Sequence, residues 1–163
     1  METIQKLSTV WKFIIAILLC EGVGIISGLL SSVNKNLWFN SLNKPSWNPP
    51  GYLFGPVWTL LYLLMGISLA LIWDNNATEL SKRNAYLLFS LQLVLNFLWS
   101  ILFFYFHSPS LALLDILLMV VIIIFTIYSF SNFSKSAAYL LVPYIAWVSF
   151  ASILNFTIWN LNK

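Results

Sequence analysis

The chain has 163 residues, 60% of them hydrophobic and only 8% charged, with a mean hydropathy of +0.87. A soluble domain of this length cannot hide so much apolar surface, so the lipid bilayer is its solvent. Eight Lys and Arg against five Asp and Glu are too few and too scattered for a nucleic-acid surface, and one cysteine, Cys20, excludes an intramolecular disulfide and any multi-cysteine metal site.

Five continuous apolar runs lie near Val10 to Leu30, Tyr52 to Trp73, Tyr86 to Phe106, Leu111 to Phe130 and Ala137 to Trp159. At about 20 residues per membrane-spanning helix they predict an all-α membrane protein, a bundle of five transmembrane helices. The spans fall at approximately 10–30, 50–73, 84–106, 110–130 and 137–160 in one domain over residues 1–163. A strand barrel would need short segments of alternating polarity, and these runs do not alternate. The first run lacks a small-residue cleavage pattern and outlasts a signal h-region, so it reads as a span. An odd number of spans puts Lys6, Lys12, Lys82, Arg83 and Lys135 on one side and Lys35, Lys44 and Lys163 on the other. The positive-inside rule then places the N-terminus in the cytoplasm, with a bacterial cell membrane as the expected location.

The first helix carries Glu21 in its apolar middle and a Gly24/Gly28 pair in GxxxG spacing. The pair permits close backbone approach, with intramolecular packing favoured over a dimer contact. A carboxyl in hydrocarbon must be neutral or paired. A structural hydrogen bond to a neighbouring helix is the favoured reading of Glu21, and a proton relay the alternative.

The connection at about 31–46 is the one long loop and reads as a lid. Its Lys35 and Lys44 suit either an anionic ligand or lipid phosphates. Trp38, Phe39, Trp47, Tyr52, Phe54 and Trp58 crowd the stretch into the second helix, interrupted by Pro45, Pro49, Pro50 and Pro56. Pro49 and Pro50 suit a helix start, whereas Pro56 denies the Tyr52 carbonyl its donor and is expected to bend the axis. A bend of this kind opens a cleft lined by the neighbouring rings.

In the third helix Gln92, Asn96, Trp99 and Phe103 fall at i, i+4, i+7 and i+11 and share one face. Amides at this depth need partners, so the face turns inward toward either a ligand or another helix. His107, the only histidine, reads as a wetted loop residue rather than a haem ligand. Asp115, one turn into the fourth helix, is expected to complement the helix dipole or cap a neighbour. In the fifth helix Trp147, Ala151, Leu154, Asn155 and Ile158 share a face carrying a large ring, a small gap and an amide. On spacing alone ordinary helix packing explains that face, and room for a flat guest is the sharper reading. No GxSxG, phosphate-cradling glycine loop, HExxH or paired intramembrane carboxylates occur, so acid–base or metal-dependent catalysis is not expected and no cofactor is implied.

The runs WFNSLNKPSWNPP, FGPVWTLLYLLMG, LQLVLNFLWSILFF, ALLDILL and LLVPYIAWVSFASILNFTIWNLN resemble the translocator protein or tryptophan-rich sensory protein family, also called the peripheral-type benzodiazepine receptor. The likeness extends from the long loop through the last helix, and the KPxWxPP and PYxAW segments are its most specific parts. It implies a five-helix membrane protein, often a homodimer, that binds porphyrins such as protoporphyrin IX and, in some members, cholesterol and benzodiazepine-type ligands. The implied pocket takes Trp58, Asn96, Trp99, Trp147, Ala151 and Leu154, joined by Phe54, Tyr62 and Asn155, with Trp38, Lys44 and Trp47 in the lid. Either Lys44 or Lys35 would meet the porphyrin carboxylates at the mouth. Light- and oxygen-dependent porphyrin breakdown would use the indoles of Trp58 and Trp147, and tetrapyrrole transport is a further alternative. Where a sterol motif needs a tyrosine followed by a base, this chain has Phe156, Thr157, Trp159 and Asn160, which weighs against sterol binding. The third helix has no glycine, so a dimer seam there has a rival in the Gly24/Gly28 pair.

Overall fold

The computed structural model describes residues 8–163, and residues 32–36 only as backbone. Lys6 and the Lys35 side chain therefore lie outside the described residues. The elements are α1 (Thr9–Asn34), a π-helical turn (Lys35–Phe39), α2 (Gly51–Asp74), α3 (Glu79–Ser100), a second π-helical turn (Ile101–Tyr105), α4 (Pro109–Ser131), α5 (Lys135–Leu140) and α6 (Val142–Leu161). Five stretches are long and apolar enough to cross a membrane: Thr9–Ser31, Gly51–Asp74, Glu79–Tyr105, Pro109–Ser131 and Lys135–Leu161. Each overlaps one of the five runs read from the sequence, and the chain is a multi-pass integral membrane protein.

Local chemistry sets the boundaries. Pro50, extended at φ −55° and ψ 140°, immediately precedes α2, in keeping with a proline-led helix start. Thr78, Ser108 and Ser134 cap α3, α4 and α5 by accepting from the backbone N–H groups of Ser81, Leu111 and Ala137. Two boundaries differ from the sequence reading. The first helix does not stop near Leu30; α1 and its π turn run on to Phe39. No glycine or proline lies between Gly28 and Pro45, and polar residues near the membrane surface do not by themselves break a helix. The fifth span is interrupted at Leu141, because Pro143 cannot donate to the Tyr139 carbonyl and disfavours helical geometry at Val142.

Apolar burial divides the interior in two. One cluster gathers Leu61, Met65, Ile72, Phe89, Ile116, Met119, Ile123, Phe130 and Val148. The other, at the end where the π turns lie, holds Phe103, Ala112, Leu154 and Ile158 under Trp38, Phe39, Phe54 and Trp99. Leu18, Val94, Leu114 and Ile153 are exposed on the outer faces, as side chains meeting acyl tails should be.

Helices α1 and α2 share the most extensive contact, and Gly66 is the reason they can. A Cβ on Gly66 would lie 2.6 Å from the Ile17 Cα. The Gly24/Gly28 pair works differently from expectation. A Cβ on Gly24 would meet the Tyr62 ring at 2.3 Å, whereas one on Gly28 would meet nothing. Gly24 thus serves packing within the chain, and Gly28 faces open space.

Each end of the bundle is tied by polar contacts. At one end Lys12 Nζ donates to Asp74 Oδ1 at 2.9 Å, and the buried Lys82 Nζ reaches Glu79 Oε1 at 2.8 Å and the carbonyls of Asn75 and Trp73 at 3.1 and 3.3 Å. Lys12 and Lys82 therefore share a side, as the five-span reading requires. At the other end the Asn43 backbone N–H donates to Asn162 Oδ1 at 2.8 Å, and Asn162 Nδ2 returns a bond to the Asn43 carbonyl at 2.9 Å. The α1–α2 connection is thereby pinned to the end of α6.

Candidate functional site

A cavity of about 340 Å³ lies between α1, α2, α3 and α6, within the usual range of small-molecule sites. From α2 it takes Phe54, Trp58 and Tyr62; from α3, Asn96 and Trp99; from α6, Trp147, Ala151, Leu154 and Asn155. The three indoles turn inward because their helices bury those faces: Gln92, Asn96 and Phe103 beside Trp99, and Val148, Leu154, Asn155 and Ile158 around Trp147, are all at most 8% exposed. The inward faces of the third and fifth spans are thus those the spacing indicated. On the side between α1 and α2 the lining residues Ile25, Gly28, Gly55 and Thr59 are themselves exposed, so the cavity opens there.

A hydrogen-bonded chain forms the floor. The Tyr62 hydroxyl donates to Asn96 Oδ1, Asn96 Nδ2 donates to the Tyr144 hydroxyl at 2.9 Å, and that hydroxyl donates to Gln92 Oε1 at 2.8 Å. Between α3, α6 and α4, Trp99 Nε1 donates to Asn155 Oδ1 at 3.0 Å, and Asn155 Nδ2 to the Pro109 carbonyl at 2.7 Å. Whether the amides meet a ligand or other helices is thereby answered for the protein alone. Asn96 and Asn155 line the cavity while each uses one acceptor site and one N–H on neighbouring helices, which fixes their amides and leaves each a second N–H. By contrast Trp147 Nε1 and Ser27 Oγ are buried with no hydrogen-bond partner. These lining groups leave hydrogen-bonding capacity open.

Rings meet one another around the hollow. Trp58 lies 5.7 Å from Tyr62 and 6.5 Å from Tyr144, Phe54 lies 6.1 Å from Trp147, and Trp99 stacks on Phe103 at 5.2 Å. Such pairs contribute roughly 0.5–1.5 kcal/mol each beyond the area they bury, and hold the indoles in fixed orientations.

The three lid residues do not line the cavity. Trp38 stacks on His107 at 4.5 Å and packs edge-on against Phe103 at 5.5 Å. Trp47 packs on Phe150 at 5.9 Å. Lys44 is not aimed at the mouth: its Nζ donates to the carbonyls of Phe39, Leu42 and Asn40 at 2.6, 2.9 and 3.4 Å and lies 4.9 Å from the centre of the Phe39 ring. These carbonyls lie at the end of α1's π turn, where helix-terminal C=O groups accept from side chains, and the ammonium supplies that donor. His107 is exposed, as a loop residue should be, but serves as the platform under Trp38 and has a positive φ of 52°.

Two carboxyls depart from expectation. Among the described residues Glu21 makes no hydrogen bond to a neighbouring helix; it is half-buried and lines the cavity. Asp115 does not serve the first turn of α4. It is 7% exposed, and its Oδ2 has no hydrogen-bond partner. Among the described residues no group of three or more His, Cys, Asp or Glu could hold a metal ion.

Sequence reasoning named no lining residue on the α1 wall, where Glu21, Gly24, Ile25 and Gly28 line the cavity, and of the π-turn residues it turned Phe103 inward but missed Phe104 and the π turns themselves. The α1 wall was legible in the i, i+3, i+4, i+7 spacing of those four residues. The π turns, which often occur where helices serve a site, left no such signal.

A family model for the TspO/MBR family matches residues 16–160. The tryptophan-rich protein TspO of Chlorobaculum tepidum is 44% identical over 88% of this chain and 91% of its own length. That of Archaeoglobus fulgidus is 42% identical over 93% and 97%. The human translocator protein is 38% identical over 77% and 75%. The matched region runs from Ala16 in α1 to Asn160 in α6, taking in the KPSWNPP and PYIAW segments and every helix that lines the cavity, and the chain accordingly belongs to the TspO/MBR family.

Proposed function

We propose that the protein binds a porphyrin such as protoporphyrin IX, holding the ring in the cavity between α1, α2, α3 and α6. One observation carries the reading: Trp58, Trp99 and Trp147 come from three different helices and converge on a single hollow that opens between α1 and α2. A porphyrin is a wide aromatic plate with two carboxylates on one edge. Indole faces suit the plate, and the free N–H of Trp147 can donate to it. The carboxylate edge takes the opening, because the described lining residues include no Lys, Arg or His and Lys44 is engaged with carbonyls.

Replacing Trp58 and Trp147 together by phenylalanine is expected to weaken porphyrin binding about ten-fold, the loss of two indole contacts. A titration in detergent or nanodiscs followed by porphyrin fluorescence measures it. An unchanged curve in the double variant contradicts the reading.

A further inference from the structure

Among the described lining residues Glu21 carries the one carboxyl, and no described residue hydrogen-bonds or ion-pairs with it. Glu21 sits near the middle of the α1 span, half-buried and four residues, or about 6 Å along the helix, from the exposed Ile25 at the opening. Near that depth lie Tyr62 and Asn96, whose mutual hydrogen bond leaves Glu21 out. The described residues give the Glu21 carboxyl neither a hydrogen bond nor an ion pair, although a carboxyl within a membrane span ordinarily finds a partner in the protein. Ser27, on the same wall and 5% exposed, likewise leaves its hydroxyl unpartnered. The α1 wall therefore ends in unmet acceptor capacity where the leading edge of a guest would arrive.

We infer that Glu21 is a specificity-determining residue of the cavity, one that selects flat ligands presenting a hydrogen-bond donor or a protonated amine at the buried edge and rejects ligands presenting a carboxylate there. The inference rests on the cavity being the binding site. For an amphiphilic tetrapyrrole it makes Glu21 the orienting group: a ligand carboxylate finds no partner beside the Glu21 carboxyl, so a carboxylate-free edge faces it. Discrimination follows because a protonated amine supplies the partner that a carboxyl at this depth otherwise lacks, whereas a ligand carboxylate buried beside it meets no cation among the described lining residues.

The test uses two probes of one ring system, an aminoacridine and the corresponding acridine carboxylic acid, titrated into the full chain in nanodiscs alongside protoporphyrin IX. The native protein is expected to prefer the amine by about ten-fold or more, the effect of one charge-assisted hydrogen bond. In Glu21→Gln, which keeps size and an acceptor oxygen, the two probes are expected to bind within about two-fold of each other. Equal affinity of the two probes for the native protein overturns the inference whether or not the variant folds, and so does a preference that survives Glu21→Gln. Porphyrin binding without an amine preference removes only the role of Glu21. A Glu21-dependent amine preference without porphyrin binding leaves that role standing and removes the porphyrin reading.

Discussion

Gly66→Val is expected to cost about 3 kcal/mol, the upper end of the usual range for overpacking a close contact. The magnitude follows from what the new side chain meets. A Cβ at Gly66 falls 2.6 Å from the Ile17 Cα and 3.0 Å from its backbone nitrogen, and backbone cannot rotate out of the way as the end of a side chain can. The α1–α2 seam must open along its length, carrying the α1 wall of the cavity with it. Gly55→Ala is the control, since a Cβ there meets nothing within 4 Å. Thermal unfolding in detergent should show a large drop for Gly66→Val and little change for Gly55→Ala. Equal melting of both variants and the native chain would mean that α1 and α2 are not in this contact.

Asn96→Leu is expected to cost about 2 kcal/mol, and the reasoning weighs two opposed magnitudes. Interhelical hydrogen bonds in membranes average about 0.6 kcal/mol, because the unfolded chain finds other partners in lipid. A buried hydroxyl left without a partner inside a packed core costs about 1–3 kcal/mol. Here the second effect wins. Leucine strands the Tyr62 hydroxyl, which is on a 3% exposed side chain, and removes the donor that Asn96 supplies to the fully buried Tyr144. Adding Tyr62→Phe to Asn96→Leu should then cost almost nothing further, because the stranded group is removed along with its lost partner. Additive losses in that double variant would show that Tyr62 and Asn96 are not bonded to each other.

Much of this architecture was legible from composition and period. Five spans follow from apolar length, and the inward faces of α3 and α6 follow from amides and rings repeating at helical spacing among lipid-compatible neighbours. The rings crowded around Pro56 indicated Phe54 and Trp58, and the resemblance set Trp58 beside them. What escaped depends on partners distant in the chain. Lys44 reads as a free cation in a loop, and only the fold shows the three carbonyls that occupy it. Glu21 reads as a residue needing a structural partner, and only the fold shows that its side faces a hollow. The bonds between Asn43 and Asn162 join residues 119 positions apart, beyond the reach of any local pattern. The GxxxG pair gave the right contact for Gly24 but not its partner, a tyrosine ring rather than a helix backbone.

The most direct measurement is an indole-region spectrum of nitrogen-15-labelled protein in nanodiscs, recorded with and without manganese protoporphyrin, whose paramagnetic centre broadens nearby signals. With the ring held in the cavity, the Trp58, Trp99 and Trp147 resonances broaden beyond detection. Trp11 and Trp73 stay sharp, since Trp73 lies fifteen residues, or about 22 Å, along α2 from Trp58. Sharp signals from those three indoles, or equal broadening of all eight tryptophans, would contradict a porphyrin held within the bundle.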